Sequence, residues 1–207
     1  MKSYQRFQEF HNESIIWVTL SRFLFLLGIS VWLGSLVFLA YGVAPVNFKI
    51  AEEWSLEGTN PQHPEQNVNY RTIGGAFTAV SISRLATIEL LGIILATLGL
   101  FLAWMPQHNR NFLLFAKTTG LALMVLLFMI YTQKFGARME EIRAASTLDF
   151  SITDEALKPA EHLEFDDLHR RYTLFASINV VMCVFQLLLM SINPLASQKP
   201  LEGDENL

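Results

Sequence analysis

Residues 23–44 read FLFLLGISVWLGSLVFLAYGVA, and none of these side chains is charged. The charge-free stretch extends from Arg22 to Lys49. A bilayer core about 30 Å thick needs about 20 apolar residues in a helix. A helix is the expected structure because a backbone in lipid has to satisfy its own hydrogen-bonding groups. These residues therefore predict a membrane-spanning helix.

Three further stretches have the same character. No charged residue lies between Glu89 and Arg110 or between Arg171 and Lys199, and another long apolar run begins at Phe112. The runs are apolar on all sides, whereas strands of a membrane β-barrel would alternate. The sequence therefore predicts an all-α, four-helix transmembrane bundle. Its spans are expected at 23–44, 86–105, 112–133 and 173–193.

The chain divides into three parts around these spans. An N-terminal amphipathic segment, 1–22, precedes the four-span membrane domain, 23–193, and a polar acidic tail, 194–207, follows. The first apolar run is too long for a signal peptide and is expected to stay as an uncleaved anchor. The single cysteine, Cys183, excludes a disulfide framework and a cysteine-based metal motif. We expect no cofactor and no nucleic-acid partner, and the lipid bilayer is the first partner.

The links between spans differ in length. Two prolines, Pro61 and Pro64, predict a true excursion in the first loop, and the second helix is expected to begin near Gly75. Residues 106–111 predict a tight antiparallel hairpin. Apolar periodicity carries the third helix to about Ala145, and Pro159 suits the first turn of a new helix. Helices 3 and 4 are therefore expected to extend beyond the membrane as a hairpin, 134–146 against 159–171.

The basic residues predict an orientation. The side that contains loops 45–84 and 134–171 has nine lysines and arginines, and the other side has six. The positive-inside rule favours the more basic side in the cytoplasm. We therefore expect a multi-pass protein of the cell (inner) membrane with loops 45–84 and 134–171 cytoplasmic and both termini outside.

Small residues recur at helical spacing in the first two spans. Such stripes let helix backbones approach closely in lipid, and helix packing, within the bundle or with a second copy or membrane partner, is the function that we assign to them. The residues are Gly28, Ser35 and Gly42 in the first span and Gly92, Ala96, Gly99 and Ala103 in the second.

Glu89 is the intramembrane acid of most interest. It lies on the same face as Gly92 and Ala96, so it is expected to point into the bundle, within reach of Tyr131. Charges in spans are costly and often functional. The simpler interpretation, which we favour, is an interfacial ion pair with Arg84 that has no further role. The functional hypothesis is a polar recess formed by Arg84, Glu89 and His169.

The start of the fourth helix carries a possible metal site. His162, Asp166 and His169 recur at i, i+4 and i+7, a spacing that places nitrogen and carboxylate ligands on one face. Against this, Asp166–Arg170 and Asp167–Arg171 are expected to be surface ion pairs. Farther along, three polar residues share one face and are expected to bridge helices: Asn179, Cys183 and Gln186.

Two short motifs resemble a known family. The first surrounds the end of span one and the second leads into span four, and Gly75 and Phe77 add a middle match. The residues are Trp32, Leu33, Gly34, Ser35, Ala44, Pro45 and Phe48, and then Phe165, Leu168, His169, Tyr172 and Asn179. This text is similar to the membrane family labelled domain of unknown function 4149, which includes the transmembrane-protein-205-like proteins. The resemblance implies a four-span membrane protein without an established activity. The copper-export type of membrane domain also opens with Trp-Leu-Gly and stays an alternative.

Three function classes remain open. A non-enzymatic packing or interaction module is the first, because catalytic motifs such as G-x-S-x-G and H-E-x-x-H are absent from the sequence. A small transporter or metal (copper)-handling protein is the second, and it would use Arg84, Glu89 or the face from His162 to His169. A membrane enzyme is the third, with only Glu89 and His169 as acid–base candidates.

Overall fold

The computed structural model describes residues 2–57, 70–105, 112–145, 148 and 155–192, and every regular element within them is helical. Helix α1 is Lys2–Phe38, and a π-helical segment, Leu39–Val43, joins it to α2, Ala44–Glu57. Helix α3 is Tyr70–Trp104, and α4 is Phe112–Met129. A second π-helical segment, Ile130–Gly136, joins α4 to α5, Ala137–Ala145. A 3₁₀ turn, Glu155–Leu157, precedes α6, Ala160–Ser191. The predicted all-α class is confirmed.

Four helical stretches are long and apolar enough to cross a membrane, as predicted. They are Ile16–Trp54, Ile73–Trp104, Phe112–Ala145 and Ala160–Ser191. The second and fourth end within two residues of the predicted boundaries at 105 and 193. The prolines of the first loop, the 106–111 link and the tail 194–207 lie outside the described residues.

The predicted extension of helices 3 and 4 is confirmed. The third helix continues to Ala145, and α6 begins directly after Pro159, whose carbonyl accepts the first backbone hydrogen bond of the helix, from His162 N at 3.0 Å. Arg138 then joins α5 to α6 through two hydrogen bonds to Glu164, at 2.8 and 3.2 Å. The two helices therefore form a hairpin.

The first loop is shorter than predicted, because helix occupies much of 45–84. Helix α2 continues to Glu57, and α3 begins at Tyr70, five residues before Gly75. Pro45 lacks the N–H that an α-helix would use. The π-helical segment before it accommodates this loss, and the Ala44 N–H bonds to the Leu39 carbonyl, five residues back. The same physical adjustment allows the first helix to continue rather than to end at the proline.

The four spans form a closed ring in which α1 contacts α3, α3 contacts α4, α4 contacts α6 and α6 contacts α1. The closest approach is between α1 and α3. A Cβ on Gly92 would lie 2.8 Å from the Gly28 carbonyl oxygen, and a Cβ on Gly99 would lie 2.7 Å from the Ser21 carbonyl oxygen. Ala96 is fully buried between them. The predicted packing role of Gly28, Gly92, Ala96 and Gly99 is therefore confirmed inside the bundle.

The outer members of the first stripe behave differently. Ser35 is buried, and its hydroxyl donates to the Trp32 carbonyl of its own helix at 2.8 Å. Gly42 lies in the π-helical segment, and the nearest atoms to a Cβ there belong to the ring of Phe38 in the preceding turn. No atom of another described helix lies near a Cβ at Gly42, so Gly42 is not part of the close contact between helices. The change to π-helix between Ser35 and Gly42 alters the phase of the stripe.

Candidate functional site: an internal carboxyl cluster

Glu89 points into the bundle, as its position on the Gly92 face predicts, and it is only 2% exposed. The favoured ion pair with Arg84 is wrong, because Arg84 is exposed while Glu89 is buried. The two residues are five apart in α3, which places their side chains about 140° apart around a helix of 3.6 residues per turn. Glu89 is therefore a carboxyl of the bundle interior, separated from Arg84 on the helix surface.

Two donors from other helices hold the carboxyl. The indole Nε1 of Trp32 donates to Glu89 Oε2 at 3.2 Å, and the Tyr131 hydroxyl donates to the same oxygen. Trp32 belongs to α1 and Tyr131 to the second π-helical segment, and both are 0% exposed. Glu89 thus joins three stretches of chain at one point. We call Glu89, Trp32 and Tyr131 the carboxyl cluster.

Aromatic rings surround the cluster. Trp32 packs edge-on against Phe128 at 6.0 Å between ring centroids, and Phe128 packs against Tyr131 at 5.6 Å. Tyr131 packs in turn against Tyr172 of α6 at 5.2 Å. Edge-to-face geometry at these distances is favourable. The four rings therefore form a continuous aromatic chain that starts at one donor of the carboxyl, Trp32, and passes through the other, Tyr131.

The π-helical segment is what places Tyr131 in this aromatic chain. In Ile130–Gly136 the Ala137 N–H bonds to the Thr132 carbonyl, five residues back, which widens the turn. A Cβ on Gly136 would lie 3.3 Å from the Tyr131 carbonyl oxygen and 3.7 Å from the Tyr172 ring. π-Helical turns of this kind are frequent at functional sites. The local helix type and Gly136 therefore act together to bring Tyr131 and Tyr172 into contact.

The predicted recess does not describe the immediate surroundings of the carboxyl. The hydrogen bonds that Glu89 accepts come from Trp32 and Tyr131. Among the hydrogen bonds of the described residues, none joins Glu89 to Arg84 or to His169. His169 is exposed and stacks on Phe165, with ring centroids 6.3 Å apart and planes 9° apart. A polar recess shared by Arg84, Glu89 and His169 stays a prediction.

The metal hypothesis is wrong for the part of the chain that the structure describes, where no group of three or more potential ligands is assembled. Asp166 binds Lys158 at 2.6 Å instead of Arg170, and its other oxygen lies 3.9 Å from His162 Nε2. His162 is buried while His169 is exposed on the Phe165 ring. Spacing put the three side chains on one face, but Lys158 binds Asp166 and the ring of His169 stacks on Phe165. The companion pair Asp167–Arg171 is confirmed, at 2.8 Å.

The polar face of α6 bridges helices, as predicted. Asn179 Nδ2 donates to the Met124 carbonyl at 3.3 Å, and Gln186 Nε2 donates to the Lys117 carbonyl at 3.2 Å. Both amides are 0% exposed, and Cys183 is buried between them. Their oxygens, Asn179 Oδ1 and Gln186 Oε1, have no hydrogen-bond partner. The face therefore uses its donors and leaves its acceptors open.

The sequence did not identify Trp32 as the partner of Glu89. Trp32 stands in the family-like motif, and its position indicates this partner only once α1 is known to pack on α3. Trp32 is four residues after Gly28, so it lies on the same stripe. Helices α1 and α3 run antiparallel, and Gly28 lies against Gly92. Trp32, one turn after Gly28, therefore lies against the turn of α3 that precedes Gly92, which contains Glu89.

Comparison of the chain with known proteins finds no match to a family model, to a curated protein or to a solved structure.

Proposed function

We propose that this multi-pass membrane protein is a non-enzymatic packing and interaction module. The observation that supports this most is how the bundle uses its interior polar groups. The donors of Trp32, Tyr131, Asn179 and Gln186 all bind another segment of the same chain. Interhelical hydrogen bonds of this kind hold membrane helices together, so the polar residues act as ties between helices.

The burial of Glu89 argues against an enzyme. A general acid or base has to come within hydrogen-bond distance of the substrate, and Glu89 is 2% exposed behind Trp32 and Tyr131. His169 is exposed, and its ring stacks on Phe165, with the ring planes 9° apart. Its position on an aromatic ring is that of a packed surface side chain.

The test of this proposal is cross-linking in the native membrane. A photoreactive amino acid replaces Leu126 on the lipid-facing surface, which is 55% exposed, or Glu141 on α5, whose side chain is 66% exposed. We expect a discrete adduct with a second copy or with one membrane partner from at least one position. Lipid adducts alone at both positions, together with solute uptake by proteoliposomes, would contradict the proposal.

We also propose that the protein resides in the cell (inner) membrane with loops 45–84 and 134–171 in the cytoplasm. The nine-to-six split of basic residues supports this. In a Cys183→Ala background, Leu157→Cys lies on the α5–α6 side, where Leu157 is 71% exposed. A membrane-impermeant maleimide applied to intact cells should leave it unlabelled and should label His108→Cys. The reverse pattern means that the orientation is opposite.

A small transporter is the second candidate, and the observation that favours it is the carboxyl of Glu89 inside the bundle. Intramembrane acids commonly mark ion or proton paths. Copper or other metal handling has less support, because no ligand group of three is assembled in the described residues. Measuring the flux of protons and of copper into proteoliposomes distinguishes a proton transporter from a copper-handling protein. Proton flux abolished by Glu89→Gln would favour a transporter over a packing module.

A further inference from the structure

The interior of the bundle contains acceptor oxygens that no donor uses. Four buried side-chain donors link different segments of the chain, those of Trp32, Tyr131, Asn179 and Gln186. Two amide oxygens, on Asn179 and Gln186, have no partner although both residues are fully buried. The carboxyl of Glu89 adds acceptor capacity and a formal negative charge. The described interior therefore contains oxygen atoms that could accept a further hydrogen bond, a proton or a cation.

In the part of the chain that the structure describes, no basic side chain forms an ion pair with Glu89. The ion pairs found there all use acids on α5 and α6. The two groups that do contact Glu89, an indole and a phenol, are neutral donors. An isolated carboxylate in an apolar interior is strongly unfavourable and is normally neutralised by a proton or a cation.

The geometry favours the proton over a metal ion. Both donors converge on Oε2, so Oε1 is the oxygen that remains for a proton. An alkali or divalent cation needs several oxygen ligands around it, whereas the two groups that contact Glu89 are an indole N–H and a phenol, and the phenol ring packs against the rings of Phe128 and Tyr172. The described residues also assemble no metal-ligand group. A proton needs none of this space.

We propose that Glu89 is an exchangeable proton-binding site inside the bundle. One proton from water adds to Oε1 and converts the carboxylate to a neutral carboxylic acid, and its release restores the charge, with no other bond made or broken. The titratable side chain in contact with it is Tyr131 on the π-helical segment, and Tyr172 and Cys183 on α6 are close enough to interact with it electrostatically. Helix α1 presents Trp32, which does not titrate.

Protonation changes the strength of a tie between helices. Hydrogen bonds to a charged oxygen are stronger than those to a neutral one. The charged form of Glu89 therefore binds Trp32 of α1 and Tyr131 of the π-helical segment more tightly than the neutral form does. This goes beyond a packing role, because the strength of the same contact then depends on whether Glu89 carries a proton.

The experiment uses the full chain in lipid nanodiscs. Infrared difference spectra are recorded while pH is varied, and the carboxylic C=O band of the neutral acid is followed. A second reporter is the fluorescence of Trp32 after Trp17, Trp54 and Trp104 are replaced by phenylalanine. We expect one carboxyl band to appear as pH falls, together with a one-proton change in Trp32 emission. Both signals should be lost in Glu89→Gln and retained in Glu53→Gln, since Glu53 is an exposed carboxyl on α2.

The outcomes separate the proposal from its rivals. Circular dichroism confirms that each variant keeps its helices, and Glu89→Asp is a second variant that keeps a carboxyl with a shorter side chain. A Glu89-dependent band that does not respond to pH anywhere the protein stays folded would overturn the proposal. So would a Glu89-dependent response to sodium chloride, against choline chloride, in place of a response to pH, since that result identifies an alkali cation as the ligand. Failure of the cross-linking test above, with the pH response intact, would contradict only the packing module.

Discussion

The contacts of α1 with α3 and of α4 with α6 use different chemistry for the same purpose. Between α1 and α3, glycines bring backbone against backbone, as where Gly92 meets the Gly28 carbonyl. Between α4 and α6, amide side chains reach across to carbonyls, as where Gln186 meets Lys117. A contact between backbones has little room to adjust, whereas a side chain can change rotamer. The two interfaces should therefore respond differently to added volume.

The largest effect is expected for Gly28→Ala. The added methyl would lie 2.6 Å from the Gly92 carbonyl oxygen, and that oxygen belongs to a helix backbone which cannot move by itself. Overpacking of this kind costs about 1–3 kcal/mol or more, and we expect the upper end. The measurement is the free energy of unfolding in an SDS titration of detergent-solubilised protein.

Gly34→Ala is the matched control in the same helix. Nothing lies within 4 Å of a Cβ at Gly34, so the change should be neutral or should stabilise by about 0.5–1 kcal/mol through helix propensity. Equal destabilisation by both variants would show that the close approach of α1 and α3 is not what sets the cost.

A smaller effect is expected for Gly120→Ala, on the α4 side. A Cβ at Gly120 would collide with Gln186 Nε2, which is the end of a flexible side chain. Gln186 can turn away, so the cost should be the lost bond to the Lys117 carbonyl, about 0.6–1.7 kcal/mol. A double-mutant cycle with Gln186→Ala checks this. If Gln186→Ala does not reduce the cost of Gly120→Ala, the clash is not with that side chain.

Asn179→Leu should cost about 0.6 kcal/mol, the typical value for a hydrogen bond between membrane helices. The substitution removes the bond to the Met124 carbonyl but also removes an oxygen that has no partner, and the second change offsets the first. Unfolding in SDS measures it. A loss larger than that of Gly28→Ala would reverse the order of the two interfaces.

The smallest effect is expected outside the apolar part of the bundle, for Arg138→Ala. Its bond to Glu164 joins α5 to α6, but the two side chains are 49% and 43% exposed. Exposed ion pairs contribute little to the free energy of unfolding and are screened by salt. Unfolding with and without added potassium chloride should show the difference shrink. An effect that persists undiminished in high salt would indicate a packing role for the arginine stem.

Individual residues show how far sequence reasoning reached. The inward direction of Glu89 followed from its spacing to Gly92, because helix periodicity alone assigns a face. The nearness of Tyr131 followed from the short link between α3 and α4. Trp32 is 57 residues from Glu89, and no local pattern connects them without knowledge that α1 packs on α3. The metal hypothesis at His162, Asp166 and His169 relied on spacing along one helix, which does not reveal that Lys158 occupies Asp166.

The amino-acid sequence by itself determined the helical class, the four spans, and the continuation of the third and fourth helices into the hairpin of α5 and the start of α6. These properties follow from the length of apolar runs against the thickness of a bilayer and from the need of a backbone in lipid to bond to itself. Only the tertiary structure decided which helices are neighbours, which oxygen of Glu89 receives both donors, and which amide oxygens stay without a partner. Those features depend on contacts between residues far apart in the chain. The π-helical segments before Pro45 and around Tyr131 also rotate the side chains that follow them, and a regular period of 3.6 residues does not predict that rotation.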